Sequence, residues 1–73
     1  MSKIEVLKHD VYSQAIEHTY TLQHETEGVL VYKEWIDSEN GKCLDFVLRS
    51  KDGYEIDDPA LVEDIQEVID SLA

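Results

Sequence analysis

The stretch 58–72, DPALVEDIQEVIDSL, decides how the rest of the chain folds. Asp58 is a favourable N-cap, and Pro59 suits the first helical position, where a missing N–H costs nothing. Aliphatic residues then recur at helical spacing and form one stripe: Leu61, Ile65, Val68, Ile69 and Leu72. At about 100° per residue, the opposite side holds acids instead: Glu63, Glu67 and Asp70. The pattern predicts an amphipathic helix over residues 59–72 that packs by its aliphatic stripe.

Upstream of this helix, turn signals divide the chain into runs of strand length. HETEGV and SENGKC are typical of tight turns, because Gly28 and Gly41 supply the positive φ that hairpin loops need. Apolar and β-branched residues fill the runs between these turns. The sequence therefore predicts one α+β domain: an antiparallel β-meander of three to four strands over residues 15–50, with the C-terminal helix packed on one face. Strands are also favoured for residues 1–14.

The turns also predict which residues pair across the meander. A two-residue loop at Asn40-Gly41 places Trp35 opposite Phe46, and closing the preceding turn in the same way places Leu22 opposite Val31. One sheet face then collects the apolar side chains for the helix to cover: Ile16, Tyr20, Leu22, Val29, Val31, Trp35, Leu44, Phe46 and Leu48. We therefore expect Trp35 to be buried beside Phe46.

The composition is that of a small acidic domain, residues 1–73. Its net charge of −11 arises from 17 acids against 6 bases. Phosphate contacts need clustered Lys and Arg, so this balance argues against direct nucleic-acid binding and against anionic membrane surfaces. No apolar run is long enough to span a membrane. Cys43 is the single cysteine, and a lone thiol without a secretory leader is typical of a cytoplasmic protein.

No motif in the sequence indicates a reaction. Cys43 is expected on the sheet face away from the helix, without a histidine near it, and we interpret it as an inert side chain. His18 and His24 are six residues apart on one strand, or about 20 Å, which is too far for one metal ion. The spacing of acids before Gly41 and Gly53 does not fit a calcium loop. We predict a non-enzymatic protein with no catalytic residues, no metal site and no cofactor.

The acids at the end of the chain are the strongest functional signal. An ordinary solvated helix mixes charges of both signs, yet residues 52–73 contain no Lys or Arg. We therefore predict an acidic face that engages a basic protein partner, formed by Asp52, Glu55, Asp57, Asp58, Glu63, Asp64, Glu67 and Asp70. The basic site of a nucleic-acid-binding protein is one such surface, on which carboxylates stand in for phosphates. In composition alone, the chain is similar to small phage and mobile-element proteins that imitate the charge of DNA.

A second function stays open at this point. The predicted pairing leaves several apolar side chains on the sheet face that the helix does not cover: Leu30, Tyr32, Ile36 and Val47. Exposed apolar patches often mark an interface. On this alternative the chain is a small structural or regulatory homodimer that associates through this face, and the acids serve solubility only.

Overall fold

The computed structural model describes residues 3–12 and 16–72. In chain order these residues form four strands and one helix: β1 (Ile4–Tyr12), β2 (Glu17–His24), β3 (Gly28–Ile36), β4 (Cys43–Ser50) and α1 (Pro59–Ser71). The strands make one sheet in the order β1-β2-β3-β4, and each neighbouring pair is antiparallel. The predicted α+β meander with a C-terminal helix is confirmed. The favoured strand before it is β1, while residues 1, 2 and 13–15 lie outside the described part.

Both predicted hairpin turns are present. Gly28 and Gly41 have φ of 78° and 73°, a backbone conformation that is costly for residues with a Cβ. In the turn after β3, the Asp37 carboxylate accepts a hydrogen bond from the Glu39 N–H at 2.8 Å. Local turn chemistry of this kind closes the two hairpins that carry β3.

The register of β3 differs by one residue from the predicted one. Leu22 lies opposite Leu30 instead of Val31, and Phe46 lies opposite Glu34 instead of Trp35. The first difference arises because three residues, not two, separate the paired ends of β2 and β3. A shift of one residue moves every side chain of a strand to the other face, so β3 is inverted relative to the prediction.

The prediction that Trp35 is buried beside Phe46 is therefore wrong. Trp35 is half-buried on the face away from α1, in register with Asp45, and its indole N–H donates to the Glu17 carboxylate at 3.1 Å. Leu44, also expected inside, is 64 % exposed, because the pairing is irregular where β4 begins.

The core lies between the sheet and α1. It consists of side chains from three strands and the helix: Tyr20, Leu22, Leu30, Tyr32, Leu48, Leu61, Val62, Ile65 and Ile69. Ile4 and Val6 of β1 pack against it at the edge. The helix stripe is present as predicted at Leu61, Ile65 and Ile69, with Val62 buried beside it. Leu72, which was also predicted to pack, caps the end of α1 and is exposed. Burial of this face supplies most of the stability that a domain of this size has available.

The predicted apolar interface does not form a surface. Leu30 and Tyr32 are 1 % and 0 % exposed, because both lie beneath α1. Ile36 is on the same side, where it borders a cavity together with Ile69 of the helix. Val47 lies on the opposite face, in register with Lys33. The prediction that these four residues share one uncovered face is wrong, and the cause is the inverted register of β3.

Candidate functional site

The chain folds back after β4 and lies along the outer side of that strand. The Ile56 N–H donates to the Leu48 carbonyl at 2.8 Å, and the Ser50 N–H donates to the Tyr54 carbonyl at 2.8 Å. This short return brings residues 55–58 beside both β4 and the first turn of α1. It thereby creates a groove that neither the strand nor the helix would form alone.

The groove has a volume of about 410 Å³ and combines two kinds of lining. Its apolar part comes from the strand, the return and the helix: Phe46, Val47, Leu48, Ile56, Pro59 and Val62. Its polar part is four carboxylates with one amide: Glu55, Asp57, Asp58, Glu63 and Gln66. No Lys or Arg is among the described residues that line it. We call this site the acidic groove.

Phe46 is the most accessible large apolar side chain in the acidic groove. It is 45 % exposed, and its ring lies 6.1 Å from the ring of Tyr32, which anchors it to the core. Val62, on the first turns of α1, is buried. The floor of the groove is therefore a continuation of the core that an apolar side chain from outside can reach.

Asp58 has a structural role as well as a position on the rim. Its side chain accepts from the Leu61 N–H at 3.3 Å, and its carbonyl accepts from the Val62 N–H at 3.0 Å. It is thus the N-cap that the sequence predicted, with Pro59 at the start of the helix. The other rim carboxylates, Glu55, Asp57 and Glu63, are exposed to solvent.

The remaining residues of the predicted acidic face are spread around the molecule. Asp52 is in the exposed turn after β4, and Glu67 is on the outer side of α1. Asp64 borders a separate cavity with His24, and Asp70 borders another with Glu34 at the far end of the helix. The structure therefore brings together four of the eight predicted acids, Glu55, Asp57, Asp58 and Glu63, and separates the other four.

The outer edge of β4 is already hydrogen-bonded where the acidic groove begins. The Phe46 N–H donates to the Asp45 carboxylate at 2.8 Å. Further along the strand, the Leu48 carbonyl and the Ser50 N–H are bonded to the returning segment. A partner that added a strand here would have to displace these bonds. The acidic groove is consequently suited to receiving side chains.

A polar cluster lies on the same side of the sheet, nearer the end of α1. The Gln66 amide donates to the Tyr32 hydroxyl at 3.0 Å, and that hydroxyl donates to the Glu34 carboxylate at 3.5 Å. Burial raises the pKa of Glu34 and the charge of Asp70 adds to it, while His18 and the Tyr32 hydroxyl act in the opposite direction. Burial also raises the pKa of Tyr32 well above its ordinary value.

Cys43 belongs to this polar cluster, so its predicted place on the face away from the helix is wrong. It borders a cavity of about 310 Å³ together with Glu34, Ile69 and Asp70. Burial raises the pKa of the Cys43 thiol, and the negative charge of Glu34 adds to the effect. Because only the thiolate is strongly nucleophilic, this environment disfavours reaction at neutral pH.

The histidines are engaged in separate contacts. His9 Nε2 is 2.9 Å from His18 Nδ1, and the His9 ring stacks on Tyr20. His24 is buried, and its Nδ1 accepts from the N–H groups of Thr26 and Glu27, each at 3.1 Å. His24 thus organises the turn between β2 and β3, a role that no local pattern in the sequence predicted. Within residues 3–12 and 16–72, no three metal-ligating side chains converge.

Comparison with known proteins finds no family model that matches this chain, and no significantly similar curated protein or solved structure. Over the described residues, no helix has the length and apolar character that a membrane crossing requires. The acidic groove itself is therefore the basis for a proposed function.

Proposed function

We propose that this protein is a non-enzymatic binding module whose acidic groove receives a basic segment of a partner protein. The observation that carries the proposal is the lining of the groove, in which an accessible aromatic ring and apolar side chains adjoin four carboxylates without a basic residue. A segment that presents an apolar side chain flanked by Lys or Arg is complementary to both parts of this lining.

The two parts of the lining have different physical roles. Carboxylates on the rim attract a basic partner over distance and orient it, which raises the association rate more than it raises the affinity. Burial of an apolar side chain against Phe46 and Ile56 contributes affinity at about 25 cal/mol per Å² of apolar surface removed from water. Net charge alone speaks only to solubility and unspecific association, so the apolar floor is what makes the groove a specific site.

A basic surface that ordinarily holds nucleic acid is one class of partner that this chemistry suits. The chain has a net charge of −11, and its rim carboxylates present negative charge in the way that phosphates do. On this proposal the protein competes with nucleic acid for the partner and does not bind nucleic acid itself.

The proposal is tested with a random peptide display library selected on the wild-type protein at low salt. We expect enriched peptides to carry an aromatic or aliphatic residue between Lys or Arg residues. For such a peptide, Glu55→Lys with Glu63→Lys should weaken binding by at least about tenfold, a difference of about 1.4 kcal/mol. Wild-type affinity should also fall as salt rises from about 50 to about 500 mM, because the Debye length shrinks severalfold.

A matched double variant separates the groove from the overall charge. Glu25→Lys with Glu39→Lys changes two exposed acids in the turns and takes the net charge from −11 to −7, as the groove variant does. We expect this control to bind the selected peptides within about twofold of wild type. Equal losses in the two double variants would show that binding depends on net charge, and the acidic groove would not be the site.

The apolar contribution is tested by Phe46→Ser, which leaves every charge in place. We expect peptide affinity to fall severalfold by an amount that is the same at low and high salt, since screening acts on charges only. Far-UV circular dichroism of the variant checks that the fold is retained. If this variant bound the peptides with wild-type affinity, the apolar floor would not contribute to binding, and that part of the proposal would be wrong.

A further inference from the structure

The sheet has a second face, on the side away from α1. Register places on it a set of side chains that are all half-buried: Thr19, Thr21, Val31, Lys33, Trp35 and Val47. The helix lies on the other side, and the described residues contain no further element that packs across this set. We call it the open face.

Charge is distributed very unevenly between the open face and the rest of the chain. Strand residues that point to this side include four acids and three bases: Glu5, Asp10, Glu17, Asp45, Lys8, Lys33 and Arg49. Their net charge is −1, so the other 13 acids and 3 bases of the chain carry −10. Half of all the bases thus lie on the open side of the sheet, and they nearly balance the acids there.

Several charges of the open face are paired within the chain. Glu17 accepts from the Trp35 indole N–H at 3.1 Å and lies 3.9 Å from the Lys33 ammonium, and Lys8 is 3.5 Å from Asp10. Charged groups that already have a partner within the chain lose less hydration free energy when a second surface excludes water. The open face is therefore less costly to desolvate than its number of charges suggests.

Arg49 and Asp45 make this face complementary to itself. They lie at opposite ends of β4, Arg49 in register with Val31 and Asp45 in register with Trp35. A two-fold axis that runs across the strands places each end of β4 over the other end in the second copy. Arg49 then meets the acid of the second copy, and Val31 meets its indole. The axis itself passes over Val47 and Lys33, and the Lys33 ammonium that meets its own copy there lies 3.9 Å from the Glu17 carboxylate of its own chain.

We propose that the open face binds a second copy of this chain, in a two-fold dimer that directs both acidic grooves outward. Four strands of eight to nine residues span about 27 by about 19 Å, or about 500 Å² on each copy. This area is below the roughly 800 Å² per partner of a typical stable interface. The dimer is accordingly weak and forms in the micromolar range. It does not depend on the function proposed for the acidic groove, although two grooves on one particle would add avidity.

The test is sedimentation velocity of the full chain over a concentration series from low to high micromolar, at low and high salt. We expect the mass to double from 8.4 kDa. Association should strengthen as salt rises, since two copies of charge −11 repel each other and screening weakens that repulsion. This salt dependence is opposite to that expected for a basic peptide in the groove, so the two proposals fail separately. A wild type that stays monomeric at both salts overturns the dimer.

Two valines on strands provide matched variants. Val31→Glu places a charge in the middle of the open face and should weaken the dimer at least tenfold. Val11→Glu makes the same change at an exposed position of β1 in register with His18, on the other side of the sheet, and should leave the dimer unchanged. Equal behaviour of the two variants contradicts the assignment of the interface.

Charge reversal provides a test that does not rest on the stability of Val31→Glu. Arg49→Glu should weaken the dimer several-fold, and adding Asp45→Arg to it should restore most of the loss, because the pair is exchanged in both copies. In the wild type, Trp35 emission should shift to shorter wavelength as the concentration rises, since the indole loses water. An unshifted emission over the range in which the mass doubles would place the interface elsewhere.

Discussion

The two faces of the sheet are made by the same strands, yet they differ in packing and in charge. Leu30 is almost completely buried beneath α1, while its neighbour Val31 is half-buried on the open face. The covered side of the molecule, with its loops, carries nearly all the negative charge, and the open face is close to neutral. The contrast indicates that the covered face stabilises the domain. On our proposals, the acidic groove and the open face are the two surfaces through which the domain associates.

Truncation on the two faces should separate them most clearly. Leu30→Ala should reduce the free energy of unfolding by about 3 kcal/mol, because it removes a fully buried side chain and leaves a cavity. Val31→Ala should cost about 1 kcal/mol or less, because the side chain is still partly hydrated. Urea unfolding followed by circular dichroism measures both. Similar losses would mean that the open face is as well packed as the covered one.

The first turn of α1 offers the next largest effect. Asp58→Ala should cost about 1 kcal/mol, because the Leu61 N–H loses its acceptor. Asp57→Ala removes an equal charge from the same groove without touching the cap, and should change stability by less than about 0.5 kcal/mol. Thermal unfolding of the two variants side by side distinguishes the cap from the rim of the acidic groove. Equal destabilisation of the two variants would mean that the hydrogen bond of the N-cap adds no measurable stability.

Two tyrosines of the covered face should respond differently to loss of the hydroxyl. Tyr32→Phe leaves the Gln66 amide without its acceptor in a half-buried position, and should cost about 1 kcal/mol or somewhat less. Tyr20→Phe is the matched change on the neighbouring strand and should be close to neutral. Urea unfolding measures the stability of both variants. If Tyr32→Phe did not change stability, water would replace the hydroxyl as the acceptor for the Gln66 amide.

The smallest effect concerns Glu34 and depends on pH. Its pKa is raised in the folded protein, so folding retains a proton there and stability falls as pH rises above the ordinary glutamate value of about 4.3. Glu34→Gln should therefore melt slightly above wild type at pH 7, by up to about 3 °C, and the gap should close toward pH 4. Glu67→Gln, on the exposed side of α1, supplies the background for loss of one charge. If the difference in melting temperature persisted at pH 4, it would not arise from the charge of Glu34.

Local signals in the sequence account for much of the fold. The cap at Asp58, the proline after it and the aliphatic stripe predict the helix, because these effects act within a few residues of one another. Gly28 and Gly41 predict the two hairpins for the same reason. The sequence also predicted one acidic face of eight residues, but nothing local showed that four of them, Glu55, Asp57, Asp58 and Glu63, surround an apolar floor while the other four lie elsewhere.

Which side chains of β3 face the core was decided by tertiary structure alone. Val29, Leu30, Val31 and Tyr32 are apolar in succession, so the strand offers a hydrophobic face in either register, and alternation cannot choose between them. In the packed sheet the turn after His24 has one more residue than predicted, and this register sets which apolar residues α1 buries and which form the open face. The acidic groove is likewise a tertiary product, since it exists only where the return after β4 meets the helix. The positions of the turns and of the helix were predicted from the sequence, because short-range geometry determines them. The length of the turn after His24, and with it which surfaces meet, depends on all the elements packing at once.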